Sequence, residues 1–123
     1  MAVTTHKDLE DYMLAKPAAK LDYPFGEGVA VYKVMDKMFA IINEGKDPVN
    51  ISLKCDPQLA QHLREKYDEV QPGYHLNKKH WNTIVATGQL SEQEIFDLIN
   101  LSYDLVVKGL PKEDQEKLEG HDS

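Results

Sequence analysis

The sequence predicts an α+β fold. We expect a two-layer domain with a five-stranded, mainly antiparallel sheet and helices on one face, in the order α-βββ-α-ββ-α. Three observations predict it. Residues 29–35 and 38–42 are β-rich runs two residues apart, and Val49, Ile51 and Leu53 then alternate with Asn50, Ser52 and Lys54. That period of two marks a strand with one wet face. Two segments open as strong helix starts, Asp56-Pro57 and Ser91-Glu92-Gln93-Glu94. At 123 residues and 41% hydrophobic content, the chain has the length of one domain and the makings of one core. Three strands joined by short turns form a meander, and helices cover its apolar face.

Taken in order, Thr5 caps a first helix over about 5–16, with Asp8 at the third helical position and Leu9, Tyr12 and Met13 at helical spacing. Pro17 stops it. Residues 17–28 hold Pro17, Pro24, Gly26 and Gly28 and read as an irregular connection. A hairpin follows, turning at Asp36-Lys37 without the glycine such turns favour. Residues 45–48 make a second turn before the third strand. Asp56 caps a second helix reaching about Tyr67, with Leu59, Leu63 and Tyr67 on one face. Pro72-Gly73 breaks the chain. Tyr74-His75 and residues 81–86 read as arms of a second hairpin, joined by residues 76–80. The third helix starts at a capping box, with Leu90 and Ile95 as a hydrophobic staple. Its apolar stripe is Ile95, Leu98, Ile99, Ser102, Leu105 and Val106, and Gly109 is its expected cap. The domain is expected to span 1–110, with 111–123 an acidic tail, either a solvated helix turn or a frayed end, whose Leu118 is its one apolar residue beyond Pro111.

Charge narrows the function. Lys and Arg number 14 against 21 Asp and Glu, a net charge of −7. The chain as a whole repels a polyanion, so tight nonspecific nucleic-acid binding is not expected. The distribution is uneven, however. Residues 70–90 contain no acid, two lysines, His75, His80, Tyr74 and the only tryptophan, Trp81. No apolar run approaches the ~20 residues of a membrane span, and residues 1–16 lack the apolar stretch of a signal peptide. One cysteine, Cys55, excludes an internal disulfide and fits a reducing, cytoplasmic setting.

Several phrases resemble the MmcQ/YjbR family of small bacterial proteins. They are Pro24-Phe-Gly-Glu-Gly-Val29, Val31-Tyr-Lys-Val-Met-Asp-Lys-Met-Phe-Ala40, Ile51-Ser-Leu-Lys54 and Ser102-Tyr-Asp-Leu-Val106. The most specific is Val70-Gln-Pro-Gly-Tyr-His-Leu-Asn-Lys-Lys-His-Trp-Asn-Thr-Ile84. The resemblance covers about residues 6–107. It implies a YjbR-type fold, akin in shape to CyaY-like and secretion-chaperone-like two-layer folds. It also implies a DNA-binding role with a double-wing arrangement. Asp36 departs from the glycine expected in that hairpin turn, and its charge beside Lys37 weakens any anion contact there.

The segment around 74–81 is the leading candidate site. A hairpin projecting Asn77, Lys78 and Lys79 supplies donors for phosphates, and His75 and His80 add more, with charge below about pH 6.5. Lys37 joins them, with Lys33, Lys46 and Lys54 on neighbouring strands and turns. Neutralising about three phosphates gives a log–log salt slope near −3, hence weak, salt-dependent DNA binding. Tyr74 or Trp81 could stack on exposed bases, although a buried anchoring role is expected for Trp81. Asn77 is the candidate base-edge donor. Cys55, at a helix start, offers a thiol of depressed pKa or a half-buried small residue.

No cofactor and no metal site are expected: His75 and His80 are badly spaced, and Asp8, Glu10 and Asp11 read as a solvated helix face. No catalytic triad, phosphate loop or carboxylate pair suggests an enzyme. The alternative is a protein-interaction or chaperone-like domain that binds a protein partner through an exposed sheet face or edge, without nucleic acid. A monomer or weak homodimer, free of any membrane, is expected.

Overall fold

The computed structural model describes residues 5–45, 48–73 and 76–121, with side chains through Leu118. Among these residues the order is α1 (His6–Leu14), β1 (Ala19–Asp22), β2 (Val29–Val34), β3 (Lys37–Asn43), β4 (Asn50–Lys54), α2 (Pro57–Lys66), β5 (Val70–Pro72), β6 (Trp81–Val85), α3 (Glu92–Lys108) and α4 (Lys112–His121). The strands form one antiparallel sheet in the order β1-β2-β3-β4-β6-β5. The α+β class holds, but the sheet has six strands rather than five.

The additional strand is β1, inside the stretch expected to be irregular. Its sequence, Ala-Lys-Leu-Asp, has no β-branched residue and three of its four residues are exposed. Pairing with β2, from Ala19 opposite Val34 to Asp22 opposite Val31, makes it a strand. Tertiary context overrides propensity here. The fifth strand also differs: it is Val70–Pro72, upstream of the expected arm at Tyr74-His75, which lies outside the described residues. The β2–β3 loop is Met35-Asp36, one residue earlier than expected, since Val34 pairs with Lys37. Both loop residues have positive φ, +48° and +66°. This is the primed geometry that matches strand twist, held here without glycine.

Helix starts follow the sequence closely. Thr5–Asp8 and Ser91–Glu94 both form reciprocal capping boxes, and Asp56 accepts from the N–H groups of Gln58 and Leu59 at 3.1 and 3.2 Å. Leu90 and Ile95 are both buried in the core, as a staple requires. The segment expected as a tail contains the ten-residue α4, and its Leu118 joins the core cluster.

The core lies between the sheet and helices α1 and α3. Tyr32, Phe39, Ile42, Ile51, Ile95 and Ile99 are each fully or almost fully buried, and each contributes roughly 1.5–3 kcal/mol. Tyr12 of α1 stacks on Phe96 of α3, ring centroids 3.9 Å apart. Ser102, fully buried on α3, reaches into the sheet. Its Oγ donates to the Phe39 carbonyl at 2.5 Å and accepts from the Lys54 N–H at 2.9 Å. The β3–β4 ladder ends with Ala40 opposite Leu53, so the hydroxyl continues it where the strands part. Among the described residues, no helix is long and apolar enough to cross a membrane.

Among the described residues, the opposite face of the sheet carries no helix-packed cluster. Strand register sets its residues in rows. One runs Asp22, Val31, Ile41, Ser52, Thr83, Gln71. Farther along the strands lie Lys20, Lys33 and Met38, the last three residues from Ile41 because the β2–β3 register shifts there, and Lys54 opposite Trp81.

Candidate nucleic-acid interface

Antiparallel register brings the candidate lysines to one end of the molecule. Lys37 opens β3, and Lys54 closes β4 directly opposite Trp81, the first residue of β6. Residues 76–80 stand immediately before Trp81, so the Met35-Asp36 turn and the 76–80 turn project from the same sheet end. Lys37, Lys78 and Lys79 are exposed and Lys54 is half-buried. Among the described residues, no ion pair engages any of these four ammonium groups. Lys33, by contrast, is held by Asp22 at 3.0 Å. Asp36 and Asp56 share this end with the four lysines.

Local hydrogen bonds build the second turn. The Asn77 side-chain oxygen accepts from the Lys79 N–H at 2.9 Å, and its carbonyl accepts from the N–H groups of His80 and Trp81 at 3.2 and 2.9 Å. Asn77 is thus a turn former, its carboxamide oxygen committed before any base arrives. The His80 carbonyl accepts from the Cys55 N–H at 2.7 Å. His80 is half-buried. His75, Tyr74 and Lys46 lie outside the described residues.

Arg64 of α2 fixes this turn to the body, and sequence reasoning passed over it. Its Nε donates to Asn82 Oδ1 at 2.6 Å, while Nη2 donates to the carbonyls of Trp81, at 3.2 Å, and Lys78. Asn82 is buried and donates in turn to the Ala60 carbonyl at 3.2 Å. Arg64 stands four residues after Ala60, the buried residue of α2. That helical spacing was the available signal.

Trp81 is 7% exposed and lies outside the main core cluster. By alternation with Thr83 it sits on the face away from α3. Gly73 packs on it so closely that an added Cβ would stand 2.8 Å from Trp81 Cβ. A ring so enclosed offers no surface for stacking on a base, which removes one of the two aromatic candidates. Cys55 is buried too. Burial, aided by the charge of Asp56, pushes its thiol up to about 11, so it is no activated thiolate. Among the described residues, no group of three or more His, Cys, Asp or Glu side chains could hold a metal ion.

The comparisons with known proteins agree with this fold. A family model described as YjbR matches residues 14–105. Escherichia coli YbdF is 38% identical over 92% of this chain and 93% of its own length. Escherichia coli YjbR is 36% identical over 93% of this chain and 97% of its own length. A crystal structure of a Deinococcus radiodurans protein with a DUF419 domain superposes with a TM-score of 0.88 at 34% identity, covering 95% of this chain and 89% of that one. A Pseudomonas syringae crystal structure gives 0.71 at 31% identity, covering 83% and 98%. The phrases read from the sequence, the model match and the full-length relatives converge: the chain belongs to the YjbR family.

Proposed function

We propose that this protein is a non-enzymatic nucleic-acid-binding module that contacts DNA phosphates through the lysine-bearing end of its sheet. One observation carries the reading. Lys37, Lys54, Lys78 and Lys79 converge there from three separate segments, and none has a carboxylate partner among the described residues. Unpaired ammonium groups on projecting turns suit contact with a backbone rather than reading of bases. The global charge of −7 keeps such binding weak.

A titration of a fluorescent duplex by anisotropy tests this. With three phosphates neutralised by the exposed lysines, affinity falls with salt at a log–log slope of about −2.7. Between 50 and 200 mM salt that is about a 40-fold loss. Lys78→Ala with Lys79→Ala reduces the slope to about −0.9 and the loss to about 3.5-fold. Both side chains are exposed, so the fold stays intact. Absence of binding to either duplex or single strand at 50 mM salt, or an unchanged slope in the double variant, refutes the proposal and favours a protein partner.

A further inference from the structure

The sheet face away from α3 holds a cleft of about 690 Å³, within the size range of small-ligand sites. Phe25 walls it on one side and Leu76 on the other. Its floor is apolar, from Val29 and Ile41, with the Ser52 and Thr83 hydroxyls joined at 2.8 Å. Among the described residues, no charged side chain lines it.

Three carboxamides face this space: Asn43 and Asn50, directly opposite each other across β3 and β4, and Gln71 on β5. Among the described residues, none of the three side-chain amides has a hydrogen-bond partner within the protein. Each therefore offers a donor and an acceptor side by side. Of the strands below, β2, β3, β4 and β6 are paired on both sides, and the edge strand β5 is three residues long and ends in Pro72, which has no N–H, so the cleft gives a peptide strand little edge to add to. Its chemistry suits a flat, uncharged group with several hydrogen-bonding atoms on its rim. Phe25, 65% exposed, presents an aromatic face beside it. One row along the strands, about 7 Å away, lies Lys54, which no carboxylate holds among the described residues.

We infer that this cleft takes unpaired nucleobases, so that the nucleic acid is single-stranded where it crosses the sheet. The inference rests on the proposed phosphate contacts and adds the site for the bases. Carboxamides pair with base edges through adjacent donor and acceptor, Phe25 supplies a stacking surface, and Lys54 and the turn lysines hold the backbone. Glu27 and Glu44 flank the Phe25 end of the face, which places the phosphates at the lysine end and the bases inward.

The probes are a fluorescein-labelled single-stranded 12-mer of mixed sequence, its duplex, and the uncharged nucleoside adenosine. The single strand is expected to bind at least tenfold tighter than the duplex at 50 mM salt. Phe25→Ala, at an exposed position, lowers single-strand affinity at least fivefold without changing duplex affinity or either salt slope. Gln71→Ala does the same more weakly. Adenosine shifts the side-chain amide resonances of Asn43, Asn50 and Gln71. Equal affinity for strand and duplex, with Phe25→Ala neutral, overturns the inference and leaves the phosphate contacts standing. If neither nucleic acid binds, the proposed function falls, and adenosine decides for the cleft alone. Shifts confined to those amides sustain a base site; unmoved amides end it and leave this face to a protein.

Discussion

Arg64→Ala removes the clamp on the 76–80 turn, and its cost can be worked from the contacts. The Lys78 carbonyl lies in an exposed contact, so water replaces the guanidinium there. The Trp81 carbonyl still accepts from the Gly73 N–H at 2.9 Å. Asn82 Oδ1 is the expensive atom, because Asn82 is 3% exposed and loses its charged donor. An unsatisfied buried acceptor costs about 1–3 kcal/mol. With a urea slope of about 1.5 kcal/mol/M, a 2 kcal/mol loss lowers the unfolding midpoint by roughly 1.3 M. Arg64→Lys keeps a single donor head and falls between. Hydrogen exchange adds a local signature: the amides of Trp81, bonded to Asn77, and of Cys55, bonded to His80, exchange faster than those of β2 and β3. A midpoint within 0.3 M (roughly 0.5 kcal/mol) of the parent protein, or exchange accelerated evenly throughout, refutes the clamp.

Other groups give sharp expectations. Ser102→Ala strips the Phe39 carbonyl and the Lys54 N–H of their shared partner; a loss of about 2–4 kcal/mol in urea unfolding is expected, against under 0.5 for exposed surface changes. Cys55, with its thiol near 11, alkylates at pH 8 at least about 100-fold more slowly in the folded protein than in urea, since so little thiolate is present. Hydrogen bonds from Ser91, its N–H at 3.0 Å foremost, hold the Glu94 carboxyl below its usual value. Its contribution to stability is therefore full above the unfolded pKa of about 4.3 and fades as pH falls through the lower folded value. Glu94→Gln should flatten the acid limb of a stability–pH curve below about pH 5 and leave the neutral region nearly level.

How much of this was legible follows from where each signal resides. The capping boxes at Thr5 and Ser91, the Asp56-Pro57 start and the alternation of β4 are local, within a few residues, and each reappears in place. The β2–β3 hairpin was legible to within one residue; Met35 at φ +48° does not advertise a primed turn, so the loop was read one position late. β1 was not legible as an element, and α4 only as one of two readings, a solvated helix turn or a frayed end. Ala-Lys-Leu-Asp becomes a strand only because β2 needs a neighbour, and α4 has a single apolar anchor, Leu118. At the candidate site, Lys37, Lys78 and Lys79 could be picked from an acid-poor stretch and a hairpin. Their sharing one end with Lys54 depends on β4 pairing with β6, across an intervening helix. Arg64 is marked only by its helical spacing from Ala60, since its partner Asn82 is eighteen residues away, and Phe25, whose importance is its exposure beside a cleft, carries no mark in the linear chain.

The two margins of the sheet have a consequence for how the protein behaves when crowded. The outer strand at one side, Ala19–Asp22, sets Lys20 and Asp22 along its length and is closed off by Pro17 and Pro24. At the other side the outermost strand is three residues long and ends in Pro72, which has no N–H to offer a neighbour. Charge at one border, brevity and an imino acid at the other, leave no long bare ladder onto which a second molecule can zip. The chain can thus carry a cleft floored by its sheet and an exposed phenylalanine without those features seeding fibrous self-association.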